Sequence, residues 1–169
     1  MLGSDEIDID RNDLLDFFIH HLNKVYAAKK LLVSELSDVM DNAHFEDLRE
    51  AMLNTIEGVI NQISRMEQIY EILFTPFSDV SSNGLKALVA DSFEDIKHYA
   101  DKPELRDMSI LFYLHNIESL EMASFQILEM ASVKLKNDRV KRLLKENYDE
   151  AKADRTLLLL INAKYISSV

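Results

Sequence analysis

The chain has 169 residues, of which 47% are hydrophobic, so it is long enough to bury one core and too short for two domains of ordinary size. Its formal charge of -11 would repel nucleic-acid phosphates and anionic lipid, and the absence of cysteine excludes disulfides and thiolate ligands. We therefore expect one domain over residues 1–169, with no nucleic-acid or membrane partner. No basic, apolar leader opens the sequence and no apolar run reaches roughly 20 residues, so a cytoplasmic location is expected.

Only three glycines and two prolines interrupt the sequence, a composition that favours long helices. Turn-forming residues cluster at four places, which are 40–43, 75–84, 101–103 and 136–138. They predict an all-α protein with a short helix over 85–99 and four long helices, which are 11–41, 44–74, 103–135 and 138–166.

Each long helix carries an apolar stripe, at spacings of three and four residues, that is broken by polar residues near its midpoint. The stripe is clearest in the first helix, where Lys29 interrupts it. Any one interruption, taken alone, is better explained by a side chain at the stripe edge that reaches water. Four at a similar height instead predict one internal polar layer, because unpaired polar groups are costly in a core. The interruptions in the other helices are Thr55, Gln62, Glu121, Asn147 and Asp154, with Glu118 at an edge.

Four long helices, a crossover between the second and third, and a central polar layer make up the ferritin-like arrangement. Four strings resemble the long helices of the YciF-like bacterial family, a ferritin-like group without an assigned function. They are LLDFFIHHLNKVYAAKKLL, INQISRMEQIYEIL, PELRDMSILFYLHNIESLEMASFQ and LLKENYDEAKADRTLLLLINA. The ELRD string and the IExxExAS spacing are the more specific parts. The resemblance implies a ferritin-like four-helix bundle with an additional short helix in the crossover.

The same resemblance implies a ligand set, because members of that family carry carboxylates like those that hold a ferritin-type pair of metal ions. Glu118 and Glu121 match the family's Glu-x-x-Glu pair, and Gln62 matches its amide. Glu150 is retained, whereas Asp154 lies one place before the family's aspartate. The remaining carboxylate positions fall here on Lys29, Gly58, Ala151 and Arg155.

Two glutamates in a layer of low dielectric constant would repel each other, so one must take up a proton or meet a cation. We expect Lys29 to supply the cation, with Arg155 as a second source and with Gly58 leaving room for the lysine chain. The alternative is that Lys29 extends along its helix and places its amine in water. The predicted layer consists of Lys29, Gln62, Glu118, Glu121, Asp154 and Arg155.

Two functions are compatible with these residues. The first is a non-catalytic protein, a structural, stress-related or interaction module that has lost the di-metal site and needs no cofactor. The second is a di-iron or di-manganese protein with redox or peroxide-detoxifying activity. Its metal ligands would be Gln62, Glu118, Glu121, Glu150 and Asp154. The lost carboxylates favour the first function, in which the protein is not an enzyme.

Two runs, SILFYL at 109–114 and TLLLLI at 156–161, are apolar around the whole helix. A small bundle cannot turn all of these side chains inward, and an exposed apolar face is typical of an interface. The sequence therefore predicts a homodimer. It names no substrate and no other protein partner.

Overall fold

A computed structural model describes residues 9–79 and 83–168, and five α-helices make up the regular structure longer than one turn in those ranges. The helices are α1 Arg11–Met40, α2 Glu46–Ile72, α3 Asn83–Lys97, α4 Pro103–Leu135 and α5 Asp138–Ile166. The predicted bounds agree with these to within about two residues, which confirms the all-α fold. The opening segment 1–8 and part of the predicted turn, 80–82, lie outside the described residues.

Local sequence explains where several helices begin. The Asp10 carboxylate accepts a hydrogen bond from the backbone N–H of Asn12 at 3.2 Å, and so caps α1. Pro103 stands in the first turn of α4, where a missing N–H has no consequence. Asn137 caps α5 by accepting from the Val140 N–H at 3.1 Å. A turn of only two residues therefore joins α4 to α5.

Contacts between helix ends fix the topology. Asp107, near the start of α4, accepts hydrogen bonds from the backbone N–H groups of His44 and Phe45, at 2.6 and 2.7 Å, where α2 begins. Tyr165, near the end of α5, stacks on Phe45 with 3.8 Å between ring centroids. Each of α1 and α5 packs on both α2 and α4, so the four long helices surround the core in the order α1, α2, α5, α4. Helix α3 lies across α1 and α4.

The core consists of two apolar clusters. One surrounds the α1–α2 turn and α3, and includes Leu36, Met52, Phe93, Ile110 and Leu114. The other lies toward the opposite end, and includes Phe18, Leu22, Met66, Phe125 and Leu144. In each long helix the polar layer residues fall between the segments that build these clusters. None of the described helices is long and apolar enough to cross a bilayer.

Candidate functional site

Lys29 lies at the centre of the bundle with its side chain fully buried. Its Nζ is 2.5 Å from Oε2 of Glu121 on α4, and the carboxylate of Glu121 is 1% exposed. The same ammonium lies 5.3 Å from the centroid of the Phe125 ring, in the range of a cation–π contact. The lysine that interrupts the α1 stripe therefore faces the core.

Glu118, one turn before Glu121 on α4, is fully buried. Neither of its carboxyl oxygens has a hydrogen-bond partner among the described residues. Burial raises the pKa of Glu118 well above its usual value, Glu121 and Asp154 raise it further, and Lys29 opposes them. The layer thus combines one charged pair, Lys29 with Glu121, and a second carboxyl group that favours its neutral, protonated form.

The layer continues onto α2 and α5. Gln62 is fully buried, and within the described ranges neither atom of its side-chain amide has a partner. Asp154 is partly buried, and its pKa is raised to about 6 by burial, with Lys29 opposing and with Glu150 and Glu121 adding to the rise. A Cβ placed on Gly58 would lie 3.5 Å from Oδ2 of Asp154. The space beside Gly58 therefore borders the Asp154 carboxylate. The sequence had predicted that the Lys29 chain would occupy this space.

Glu150 has a different partner, which the sequence did not indicate. Arg65 on α2 donates two parallel hydrogen bonds to Glu150, at 2.6 and 2.7 Å. Arg65 also lies 3.1 Å from Glu146 and donates to the Asn147 side chain at 3.2 Å. In the sequence Arg65 belongs only to the weak family string RMEQI, one turn after Gln62. That position places it at the edge of the α2 stripe, and this was the one available signal.

Arg155, the second predicted source of positive charge, is half-buried beside α4. Its Nε donates to the Ser119 hydroxyl at 2.7 Å. Its hydrogen-bond partner is therefore a neutral hydroxyl group next to Glu118 in the chain. Ala151 is fully buried and fills its place on α5 without offering a donor or an acceptor in its side chain.

These residues do not fit a ferritin-type pair of metal ions, which needs about four inward carboxylates. The Lys29 ammonium is paired with Oε2 of Glu121, an oxygen that would otherwise be available to a metal ion. Glu150 is held by Arg65. Gly58 and Ala151 contribute no donor. In the part of the chain that the structure describes, no group of three or more His, Asp or Glu side chains is placed to hold a metal ion.

A helical bundle with a crossover helix and a mid-height layer of buried carboxyl and amide groups is a ferritin-like protein. The chain belongs to the family described as a domain of unknown function, DUF892, which residues 13–166 match. It is 28% identical over 139 residues to the protein YciF of Escherichia coli K12, a match that covers 82% of this chain and 83% of that protein.

Two solved structures share the fold. The crystal structure of the E. coli stress protein YciF superposes with a TM-score of 0.84 at 24% identity, covering 92% of this chain and 98% of that one. A structure from Rhodopseudomonas palustris, named YcfI and described as a proposed structural protein, superposes with a TM-score of 0.79 at 24% identity. That match covers 92% of this chain and 96% of the other. The ferritin-like fold and the resemblance to the YciF-like family are thereby confirmed.

Proposed function

We propose that this protein is a non-catalytic ferritin-like bundle that acts as a structural, stress-related or interaction module. The observation that carries the proposal is the buried Lys29 ammonium, 2.5 Å from Glu121. A cation tethered to α1 balances the charge of the layer without bringing any redox capacity. Of the two proteins with the same fold, one is described as a stress protein and the other as a proposed structural protein, and both descriptions agree with this proposal.

Metal content tests the proposal directly. The protein would be purified without chelator, and a second sample would be exposed anaerobically to ferrous and manganous ions, before mass spectrometry of bound metal. We expect near-zero stoichiometry in both samples, because Lys29 and Arg65 already hold the carboxylates of Glu121 and Glu150. One or two ions per chain would overturn the proposal.

A gain-of-binding variant sharpens this test. Lys29→Glu combined with Gly58→Glu restores two carboxylates, and position 58 can accept a Cβ because the nearest neighbour would lie at an ordinary 3.5 Å. The variant should take up manganese while the unmodified chain does not. Lys30→Glu combined with Gly58→Glu is the matched control, since Lys30 is exposed on the same helix and the charge change is then equal. Uptake by this control as strong as by the Lys29 variant would contradict a role for Lys29.

A di-iron or di-manganese redox protein is the second candidate, and one observation favours it. Both oxygens of Glu118, Oε1 of Glu121 and Oδ2 of Asp154 are buried without a hydrogen-bond partner among the described residues. Oxygen donors of this kind suit hard cations. This function requires Lys29 to leave the layer. Peroxide consumption by iron-exposed protein above that of the same iron in buffer would support it and contradict our proposal.

We further propose that the protein is a homodimer through α4 and α5. Phe112, Leu159 and Leu160 of the two apolar runs are 60, 50 and 64% exposed. The contact between Arg155 and Ser119 brings the second half of α5 beside the first half of α4, so the three side chains lie at a similar height. A second copy that covers them would bury this apolar area.

Leu160→Glu places a charge in that patch, and light scattering should then report a monomer. Leu53→Glu, at a 50% exposed leucine on α2, is the control and should leave the dimer intact. A monomeric unmodified protein at micromolar concentration would contradict the dimer.

A further inference from the structure

An open groove of about 590 Å³ lies between α1 and α4. Helix α3, which begins at Asn83, covers one part of the seam between these two helices. Toward the start of α1 none of the described residues covers the seam, and Phe17, Leu120 and Ile127 in its walls are 43, 43 and 52% exposed. The groove therefore continues, beyond the part that α3 covers, the seam between α1 and α4.

The titratable side chains among the described residues of the groove come from one face of α1. His21 lies four residues after Phe17, and Lys24 lies three residues after His21, so all three share one face of the helix. Both His21 and Lys24 line the groove. The pKa of His21 is lowered by burial and by the neighbouring His20 and Lys24, so its imidazole is neutral near pH 7 and can donate one hydrogen bond. Lys24 is half-buried and forms no hydrogen bond or ion pair with any other described residue.

The charge of the groove contrasts with the charge of the chain. The chain carries a formal charge of -11, yet no acidic side chain is among the described residues that line this groove. An apolar trough with a cation and a neutral donor along one wall is complementary to a molecule with an apolar body and one anionic end. From Phe17 to Lys24 the groove follows about two turns of α1, or about 10 Å.

We propose that this groove binds a medium-chain aliphatic carboxylate. The carboxylate lies against Lys24 and His21, and the alkyl chain covers the exposed faces of Phe17, Leu120 and Ile127. Binding removes the apolar surfaces of the ligand and of the groove from water and gives Lys24 an anionic partner. This site lies on the outside of the bundle, so it is independent of the internal layer and of the proposed non-catalytic function.

The test compares two probes that share a chain and differ in the head group. Equilibrium dialysis with radiolabelled decanoate and with radiolabelled decanol should show one saturable site per chain for each. Lys24→Gln should weaken decanoate binding roughly fivefold, the value expected for one partly exposed ion pair, and leave decanol binding unchanged. Lys30→Gln on the same helix is the matched control, and it should change neither.

A second variant fills the groove. Ala123 is an exposed residue of the lining, so Ala123→Trp should abolish binding of both probes without changing the thermal unfolding curve or the association state. Absence of saturable binding by the unmodified protein would overturn the proposal, as would equal weakening of both probes by Lys24→Gln. Conversion of a dimer to a monomer by Ala123→Trp would show that a second copy covers the groove, and would also overturn it.

Discussion

Among the ion pairs between described helices of this bundle, a buried one and a partly exposed one offer a contrast. Lys29 and Glu121 connect α1 to α4, and their side chains are 0 and 1% exposed. Arg65 and Glu150 connect α2 to α5, and theirs are 20 and 34% exposed. Loss of one partner leaves the other unpaired in the first case, whereas water replaces the lost partner in the second. Burial, more than contact distance, therefore sets the energetic consequence of losing one partner of an ion pair.

The neighbours of the two pairs differ as well. Glu146 and Asn147 add two further polar contacts to the Arg65 guanidinium group, beside those with Glu150. Around Lys29 and Glu121, the side chains of Glu118 and Gln62 are buried without partners in the described residues. Unsatisfied buried groups are rare and costly in native proteins. The internal layer thus holds more polar groups than stability alone requires.

The largest expected effect comes from breaking the buried pair. Lys29→Met should lower the free energy of unfolding by about 3 to 5 kcal/mol, because Glu121 is left as a buried charge without a partner. Urea denaturation measures this loss. The double variant Lys29→Met with Glu121→Met removes both charges and should recover most of it. A loss below about 0.5 kcal/mol, typical of surface positions, would remove the contrast between the two pairs.

A third buried carboxylate, Asp107, is held by two backbone N–H groups and by the neighbouring Arg106 at 3.4 Å. Asp107 is fully buried and accepts the N–H groups of His44 and Phe45 at the start of α2. Asp107→Ala should lower the free energy of unfolding by about 2 kcal/mol, since the helix end loses its cap. Thermal unfolding followed by circular dichroism measures it. Asp107→Asn keeps one acceptor, so its free energy of unfolding should fall by less. A larger fall for Asp107→Asn than for Asp107→Ala would contradict the capping role.

The contribution of Asp154 to the free energy of unfolding should depend on pH. Its pKa of about 6 in the folded chain lies above the ordinary 3.8, so Asp154 favours folding below about pH 4 and loses that contribution as the pH rises through 6. Asp154→Asn should therefore raise the free energy of unfolding near pH 8 by about 1 kcal/mol, less than the full shift implies, because the side chain is partly exposed. Urea denaturation of the variant and of the unmodified protein, near pH 4 and near pH 8, tests this. A stability gain that is equal near pH 4 and pH 8 would contradict the raised pKa.

The smallest effect is expected at the exposed pair. Arg65→Met should lower the free energy of unfolding by less than about 1 kcal/mol, and added salt should shrink the difference, because water and ions reach both side chains. Chemical denaturation at low and high salt provides the measurement. A loss of about 3 kcal/mol that salt does not change would place Arg65 in the same class as Lys29.

The sequence predicted some of the site and left other parts out. Lys29, Gln62 and Glu121 are identifiable because each breaks an apolar stripe at mid-height, and such a break is visible without knowledge of the neighbouring helices. Arg65 was missed, since an arginine at the edge of a stripe looks like any surface arginine. Asp107 belongs to the ELRD string, but its capping of α2 depends on residues that lie 62 and 63 positions away in the chain.

The five helices, their ends to within about two residues and the four interrupted stripes were predictable from the amino-acid sequence. They follow from local periodicity and from turn residues, which act over a few positions, and the resemblance of four strings to a known family added the ferritin-like class. The contacts of Lys29 with Glu121, of Glu150 with Arg65 and of Arg155 with Ser119 were not predictable in this way. The physical reason is rotation: one residue along a helix turns a side chain by about 100°, so pairing depends on how the helices are rotated against each other.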